Sequence, residues 1–356
     1  YRIEKIINFS DMRRLIFADA VHPFVVLIAT VRAPDERFGS VESERFQYWT
    51  PKTDIALAFG RLAVHGGDRA DLPANALLTD EAQLAMHYWG GEPDIALLQR
   101  LLRKGSIRDL MTAEWMDAKG FHAHDNDVRR DPKNWYTAVP KWMAHTRFLS
   151  AKLLPKDLPF VPEKHLHPFP FGQIARVPEQ RLFQGPRVLW PDGAHPQDGV
   201  KAVYTDEAFS FQHSIAVLSA PSTEEGRLTA RFLTVYLRSP MGLWLLLLLS
   251  SSVAAERPKL HLREALDWPF WSLEQHPEPE RARSIMIKVD ALISEAESAD
   301  ELLQPTRWSE IQSQVDHLVY DYFRLSADEI AMIEELATLA GSALQPSSLR
   351  HGSLTK

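Results

Sequence analysis

The sequence predicts a mixed α+β fold in which strands come first and helices close the chain. Three observations carry this. Phe24 to Val31 (FVVLIATV) is a short, very apolar run between Pro23 and a charged loop, the pattern of a strand buried on both faces of a sheet. Leu228, Phe232, Leu233, Tyr236 and Leu237 recur at spacings of three and four, which predicts an amphipathic helix. From Pro277 onward the apolar residues keep a helical period to the end of the patterned sequence.

The elements follow in order. Tyr1 to Phe9 alternates loosely and reads as a strand, and Ser10 or Asp11 can cap a short helix over Met12 to Phe17. Glu44 to Trp49 is a further strand, ended by Thr50-Pro51. Gly60 to Asp71, with a turn at Gly66-Gly67, reads as a linker, and Pro73 to His87 begins a helical stretch. A strong helix runs from Ile95 to Arg103, with Ile95, Leu98, Leu101 and Leu102 on one face. Arg100, Arg103 and Lys104 gather at its C-terminal end, where the helix dipole favours cations. Leu158 to Pro170 is Pro-rich and predicts an extended, exposed segment. A turn at Gly185-Pro186 leads into a strand, and Val200 to Phe211 and His213 to Ala220 continue as strands. Pro240, after Ser239, bends the chain. Leu243 to Leu249 is apolar on every side and predicts burial all round. Ser250, Ser251 and Ser252 open a polar turn, and a short segment from Lys259 to Leu266 leads to Trp268-Pro269. Helices are predicted over Glu280 to Glu297, Glu310 to Phe323 and Ala327 to Leu339, the last capped by Ser326.

Composition excludes several classes. The 356 residues include no Cys, which rules out disulfides, thiol catalysis and Cys-ligated zinc and suits a reducing cytoplasmic setting. The longest apolar run, Leu243 to Leu249, falls far below the roughly 20 residues of a membrane span. The net charge of −7 is unevenly spread. From Lys119 to Trp190 there are 12 Lys and Arg against 6 Asp and Glu, with five His; from Ser272 to Lys356 there are 7 against 15. A basic middle and an acidic tail imply that the middle meets an anionic partner. Within it, Asp125 to His167 interleaves cations and aromatics: Arg129, Arg130, Lys133, Trp135, Tyr136, Lys141, Trp142, His145, Arg147 and Lys152. Cations neutralise phosphates and aromatics stack on or wedge between bases. His122, His124 and Asp125, and the pair His165 and His167, read as polar loop residues rather than metal ligands.

The run VYLRSPMGLWLLLLLSSSVAAERPKLHLREALDWPFW (Val235 to Trp271) resembles the target-recognition regions of adenine-N6 DNA methyltransferases, above all type IIG restriction-modification enzymes and the specificity subunits of type I systems. Helix, Ser-rich turn, short element and closing Pro motif share the family's order. Arg238-Ser239 stands for its Asn-Ser, and Trp271 for the second Pro of its closing motif. Other stretches resemble the same family in the same order: RRLIFADAVHPFVVLIATV, YWGGEPDIALLQRLLRKGSIRDLM, RLFQGPRVLWP and EIQSQVDHLVYDYFRLSADEIAMIEE.

The resemblance implies three parts: the last strands of a class I methyltransferase sheet with a linker (1–72), a mixed α/β target-recognition domain (73–271) and a helical C-terminal region (272–356). It implies double-stranded DNA as partner and S-adenosylmethionine as cofactor of the whole enzyme, in restriction-modification or phage defence. The family's cofactor glycine loop and its Asp/Asn-Pro-Pro-Tyr/Phe catalytic loop do not occur in the sequence. No catalytic role is therefore carried over to any residue. The start at Tyr1, directly in a strand, leads us to expect a fragment whose catalytic motifs lie upstream. Arg100, Arg103, Lys104, Arg129, Arg130, Lys133, Trp135, Lys141, Trp142, Arg147 and Lys152 are the candidate DNA-binding residues. Two alternatives stay open: a nuclease, for which the acidic-x-Lys spacing is missing, and a stand-alone specificity subunit or scaffold acting with a separate restriction or methyltransferase chain.

Overall fold

The computed structural model describes residues 1–12, 16–17, 24–32, 44–53, 56, 59–75, 77, 82–111, 114–123, 137–194, 199–252 and 259–343. In chain order its elements begin with β1 Arg2–Asn8, β2 Val25–Thr30, β3 Arg45–Trp49, β4 Arg69–Pro73, α1 Ala82–Trp89, α2 Glu92–Leu102, β5 Met116–Lys119 and β6 His122–Ala123. There follow β7 Thr137–Ala138, α3 Lys141–Ala144, β8 Arg147–Leu149, β9 Leu166–Pro168, β10 Gln173–Ala175, β11 Arg187–Pro191, β12 Val203–Thr205, β13 Phe209–Phe211 and β14 Ile215–Ser219. Helices α4 Glu224–Arg238, α5 Pro240–Leu249, α6 Leu262–Leu266, α7 Pro279–Ser298, α8 Gln304–Tyr322 and α9 Ala327–Ala343 close the described chain.

The first sheet has the order β2-β1-β3-β4, with β1 and β3 parallel and the other neighbours antiparallel. Ile6, Phe46, Tyr48 and Leu72 form its small core. The Tyr88 hydroxyl accepts from the Asp11 backbone N–H at 2.8 Å and ties α1 to the sheet. The expectation that Phe24 to Val31 is buried on both faces is corrected here. Within the described residues β2 is an edge strand, with Leu27 59% and Val25 51% exposed. Among the described residues it pairs with β1 alone, and no layer covers these exposed side chains. Gly60 to Asp71, expected as a linker, contains the start of β4, which pairs with β3.

The central sheet, β12-β11-β14-β5, is antiparallel throughout. Side chains alternate across a strand, and both faces of this sheet are covered. Val188, Trp190, Tyr204, Ala216 and Leu218 enter the large helical core. Leu189, Val203, Ile215 and Val217 enter a second core, shared with the small sheets β6-β10-β7 and β13-β8-β9.

The helical layer is built on the bent pair α4 and α5. The Thr223 hydroxyl accepts from Gly226 N–H and starts α4. The Ser239 hydroxyl accepts from Gly242 N–H and starts α5, one residue after α4 ends. Pro240 occupies the first turn of α5, where its missing donor costs nothing, and the two helices meet at 70°. A Cβ on Gly242 would lie 2.4 Å from the Leu237 carbonyl oxygen, so the bend requires glycine. Leu243 to Leu248 are buried, as the all-round apolar pattern predicts. No single described helix is long and apolar enough to cross a membrane. Ser250, Ser251 and Ser252 form the expected polar turn: Ser250 Oγ donates to the Lys259 carbonyl and Ser251 Oγ to Glu264.

The closing Trp268 to Trp271 folds inward. Tyr236 donates to the Pro269 carbonyl at 2.7 Å, and Trp271 Nε1 donates to the Leu101 carbonyl at 3.0 Å. Leu158 to Pro170 is extended, but Leu158 and Phe160 are buried rather than exposed, because Phe160 bridges to Tyr204 of the central sheet. The C-terminal helices appear where the period places them, with α8 starting at Gln304, six residues before the expected Glu310. Ile285, Val289, Val315, Val319 and Tyr322 share one core with Phe232 and Tyr236, so packing is continuous across the expected boundary at 271–272. Arg231, buried on α4, reaches Glu297 at 2.7 Å and Ser294 at 2.8 Å on α7.

Asp94 joins α2 to α5. Its carboxylate accepts from Gly91 N–H at 2.9 Å and from the buried Trp244 Nε1 at 2.7 Å. Asp94→Ala removes a cap and orphans an indole N–H, so urea unfolding should show a loss of about 2–4 kcal/mol. Asp316 on α8 has the opposite character. Burial raises its carboxyl to about 7 from 3.8, with Glu334 adding to the rise and His317 and Arg238 opposing it. Folding therefore holds the proton more tightly than the unfolded chain does, and stability falls as pH rises between those two values. Asp316→Asn should flatten that fall and raise the melting temperature at pH 8 but not at pH 4.

Candidate nucleic-acid interface

Among the described residues, β6, β7, β8, β9 and β10 of the basic stretch cover the face of the central sheet opposite helices α4 and α5. Phe121, Phe148, Leu149, Ile174, Phe183, Phe209 and Phe211 pack in the core on that face. Strands β6 and β7 flank β10 in one small sheet. The segment between Ala123 and Thr137 thus starts and ends on that sheet, at strands two spacings apart, about 10 Å. Arg129, Arg130, Lys133 and Trp135 belong to that segment and lie outside the described residues.

The other candidates fall into two groups. Lys141 is the exposed first residue of α3, and Lys152 is exposed in the turn after β8. Neither forms an ion pair among the described residues. Trp142 is half-buried against Phe183, with ring centroids 5.5 Å apart, and serves the core as much as the surface. Arg147 on β8 is held between Glu163 at 2.9 Å and Glu207 at 2.7 Å. At the end of α2, Arg100 pairs with Glu329 of α9 at 2.8 Å, and Arg103 Nε donates to the Gln99 carbonyl. Lys104 is exposed beside them. Arg100 and Arg103 line an open groove of about 610 Å³ with Asp328, Glu329, Leu97 and Met332, so acidic groups share the space with these two cations.

A further cationic group comes together that sequence reasoning did not assemble. The Phe121–Gln212 bridge is parallel, and the His213 N–H donates to the Phe121 carbonyl at 2.8 Å. Neighbouring residues in parallel register stand side by side, so His122 and His213 project together. Their rings stack with centroids 4.0 Å apart and planes 7° apart. The approach depends on Gly120, where a Cβ would lie 2.1 Å from the Phe211 carbonyl oxygen. Lys119, held by Asp192 at 2.7 Å, and the exposed Arg176 complete the group. Desolvation, then the charges of His213, Arg176 and Lys119, hold the His122 imidazole below its usual range. The two Phe-and-His runs, Gly120-Phe121-His122 and Phe211-Gln212-His213, were the available signal, but their adjacency is a tertiary fact. Among the described residues no three His, Asp or Glu side chains are placed to hold a metal ion. His165 and His167 sit in a short turn and on β9.

No family model matches the chain, and no curated protein matches it. Among solved structures the chain is similar to the type IIG restriction endonuclease BpuSI, with a TM-score of 0.39 and 10% identity over 97% of this chain and 44% of that one. It is also similar to the type IIL restriction-modification enzyme MmeI, solved in complex with DNA, with a TM-score of 0.34 and 10% identity over 64% of this chain and 35% of that one. The chain spans less than half the length of either.

The ion pairs separate the candidates. Lys141→Ala should reduce the slope of log affinity for duplex DNA against log salt by about 0.9, the value for one phosphate contact. Arg100→Ala, which breaks a pair with Glu329, should leave that slope unchanged and lower the melting temperature instead.

Proposed function

We propose that this chain is the DNA-reading part of an S-adenosylmethionine-dependent, adenine-N6-specific DNA methyltransferase of restriction-modification or phage-defence type. The observation that carries the reading is the uneven spread of charge along the chain. Lys119 to Trp190 holds 12 Lys and Arg against 6 Asp and Glu, and Ser272 to Lys356 holds 7 against 15. A duplex is a polyanion and meets the first stretch with far less repulsion than the second. Lys and Arg fix the duplex through its phosphates, and Arg, Lys, Asn and Gln read base edges in the major groove. The family patterns quoted from the sequence supply the reaction: a methyl group passes from the cofactor to the amino nitrogen of an adenine turned out of the helix. Both the cofactor loop and the catalytic loop of that reaction belong to sequence outside this chain, which here contributes positioning and recognition.

The second reading, a stand-alone specificity subunit working with a separate methyltransferase or restriction subunit, uses the same DNA-facing surface. What favours the fused enzyme is β2, an apolar edge strand with one neighbour among the described residues, which fits a sheet continued by further strands. Such an edge left bare invites aggregation.

Reversing Arg129 and Arg130 together to Glu should weaken binding of a duplex at physiological salt by about tenfold or more, because each lost phosphate contact forfeits its counterion release. Unchanged affinity in a fluorescence-anisotropy titration would count against this placement.

A further inference from the structure

We propose that His122 and His213, with Arg176 and Lys119 beside them, form a backbone-phosphate site on the DNA-facing side that takes up a proton as the phosphodiester binds. The inference rests on the DNA-reading function above and deepens it.

The geometry carries the argument. Two imidazoles stacked at 4.0 Å with nearly parallel planes sit comfortably when at least one is neutral. Charging both places like charges a ring-width apart, beside Arg176 from the end of β10 and Lys119 from β5. Among the described residues the carboxylate beside this group is Asp192, on the chain just after β11, and it is engaged by Lys119. Desolvation and the neighbouring cations hold the His122 imidazole below its usual range. A phosphodiester brought against the rings adds a negative charge, and an opposite charge at close range favours the charged form. His122 is half-buried and His213 exposed, so the pair offers ring N–H donors at the surface. The neighbouring strand leads directly into the segment carrying Arg129 and Arg130.

Proton uptake on binding makes affinity rise as pH falls, by up to about tenfold per pH unit for one proton fully taken up. The test is duplex binding by fluorescence anisotropy at pH 7.5 and pH 5.5, at one fixed ionic strength, for the parent, His122→Gln and His213→Gln. Circular dichroism melts check that each variant is folded, and His213, on an exposed turn, gives the safer variant. The expected result is a parent that binds several-fold more tightly at pH 5.5 than at pH 7.5, and variants whose affinities at the two pH values differ by much less than the parent's. A gain retained in both variants overturns the phosphate site and leaves DNA reading intact. Absence of salt-dependent duplex binding at either pH overturns the DNA-reading function itself, and this site with it. Inorganic phosphate serves as the competing probe. If it abolishes the pH-dependent gain at concentrations too low to screen the duplex, it competes with the backbone for this site, as expected; a gain that survives phosphate at concentrations that saturate the site overturns the assignment.

Discussion

Every residue of β14 is buried, and with it almost all of β11 and β12. The rest of the chain is arranged around that constraint. A sheet without a solvent face must send alternate side chains into two separate cores. Val188 and Leu218 pair in register on one face, and Leu189 and Val217 on the other. Each buried Val, Leu or Ile removes apolar surface worth about 1.5–3 kcal/mol from water, so neither covering layer can be dispensed with. Of the charged residues in this sheet, Arg187 on β11 is fully buried, while Asp117 and Lys119 lie on the edge strand β5. Arg187 donates to the Glu207 carbonyl and lies 5.1 Å from the Phe209 ring. Burial pulls its guanidinium below the ordinary value.

The helical layer solves its own packing problem by a bend. A straight helix through Glu224 to Leu249 would carry its second half past the core. Ser239 instead ends one helix and caps the next, and the turn lets α5 bury every face. Several of the polar groups this brings inside find partners. Trp244 finds Asp94, Tyr236 finds a carbonyl, and Arg231 lies over the Tyr204 ring at 4.6 Å while pairing with α7. Buried donors left unmatched cost more than matched ones return, which explains why residues so far apart in sequence are held together here.

The two sides of the sheet are consequently unequal. Long helices with acidic outer faces shield one side, while short strands and loops cover the other. Among the described residues of the short-strand side, Lys141 and Lys152 lie exposed. Other cations are already spoken for: Arg147 by two glutamates and Arg100 by one. The fold thus divides the basic residues into those that hold the scaffold and those available to an anionic partner, a division that charge counting alone does not make.

The sequence by itself determined the helices, since a period of 3.6 and the caps at Thr223, Ser239 and Ser326 are local signals. It determined the bend at Pro240 and the burial of the leucine run. It also located the basic stretch, because charge is additive along a chain. The environment of Phe24 to Val31 was not legible, since apolar composition shows what a strand prefers and not whether a second layer reaches it. Nor was the fate of Arg147, whose partners lie 16 and 60 residues away. The stacking of His122 on His213 was decided by the tertiary structure alone. It requires a parallel bridge between two distant segments and a glycine that lets their backbones meet, and the register of non-local pairing leaves no local trace.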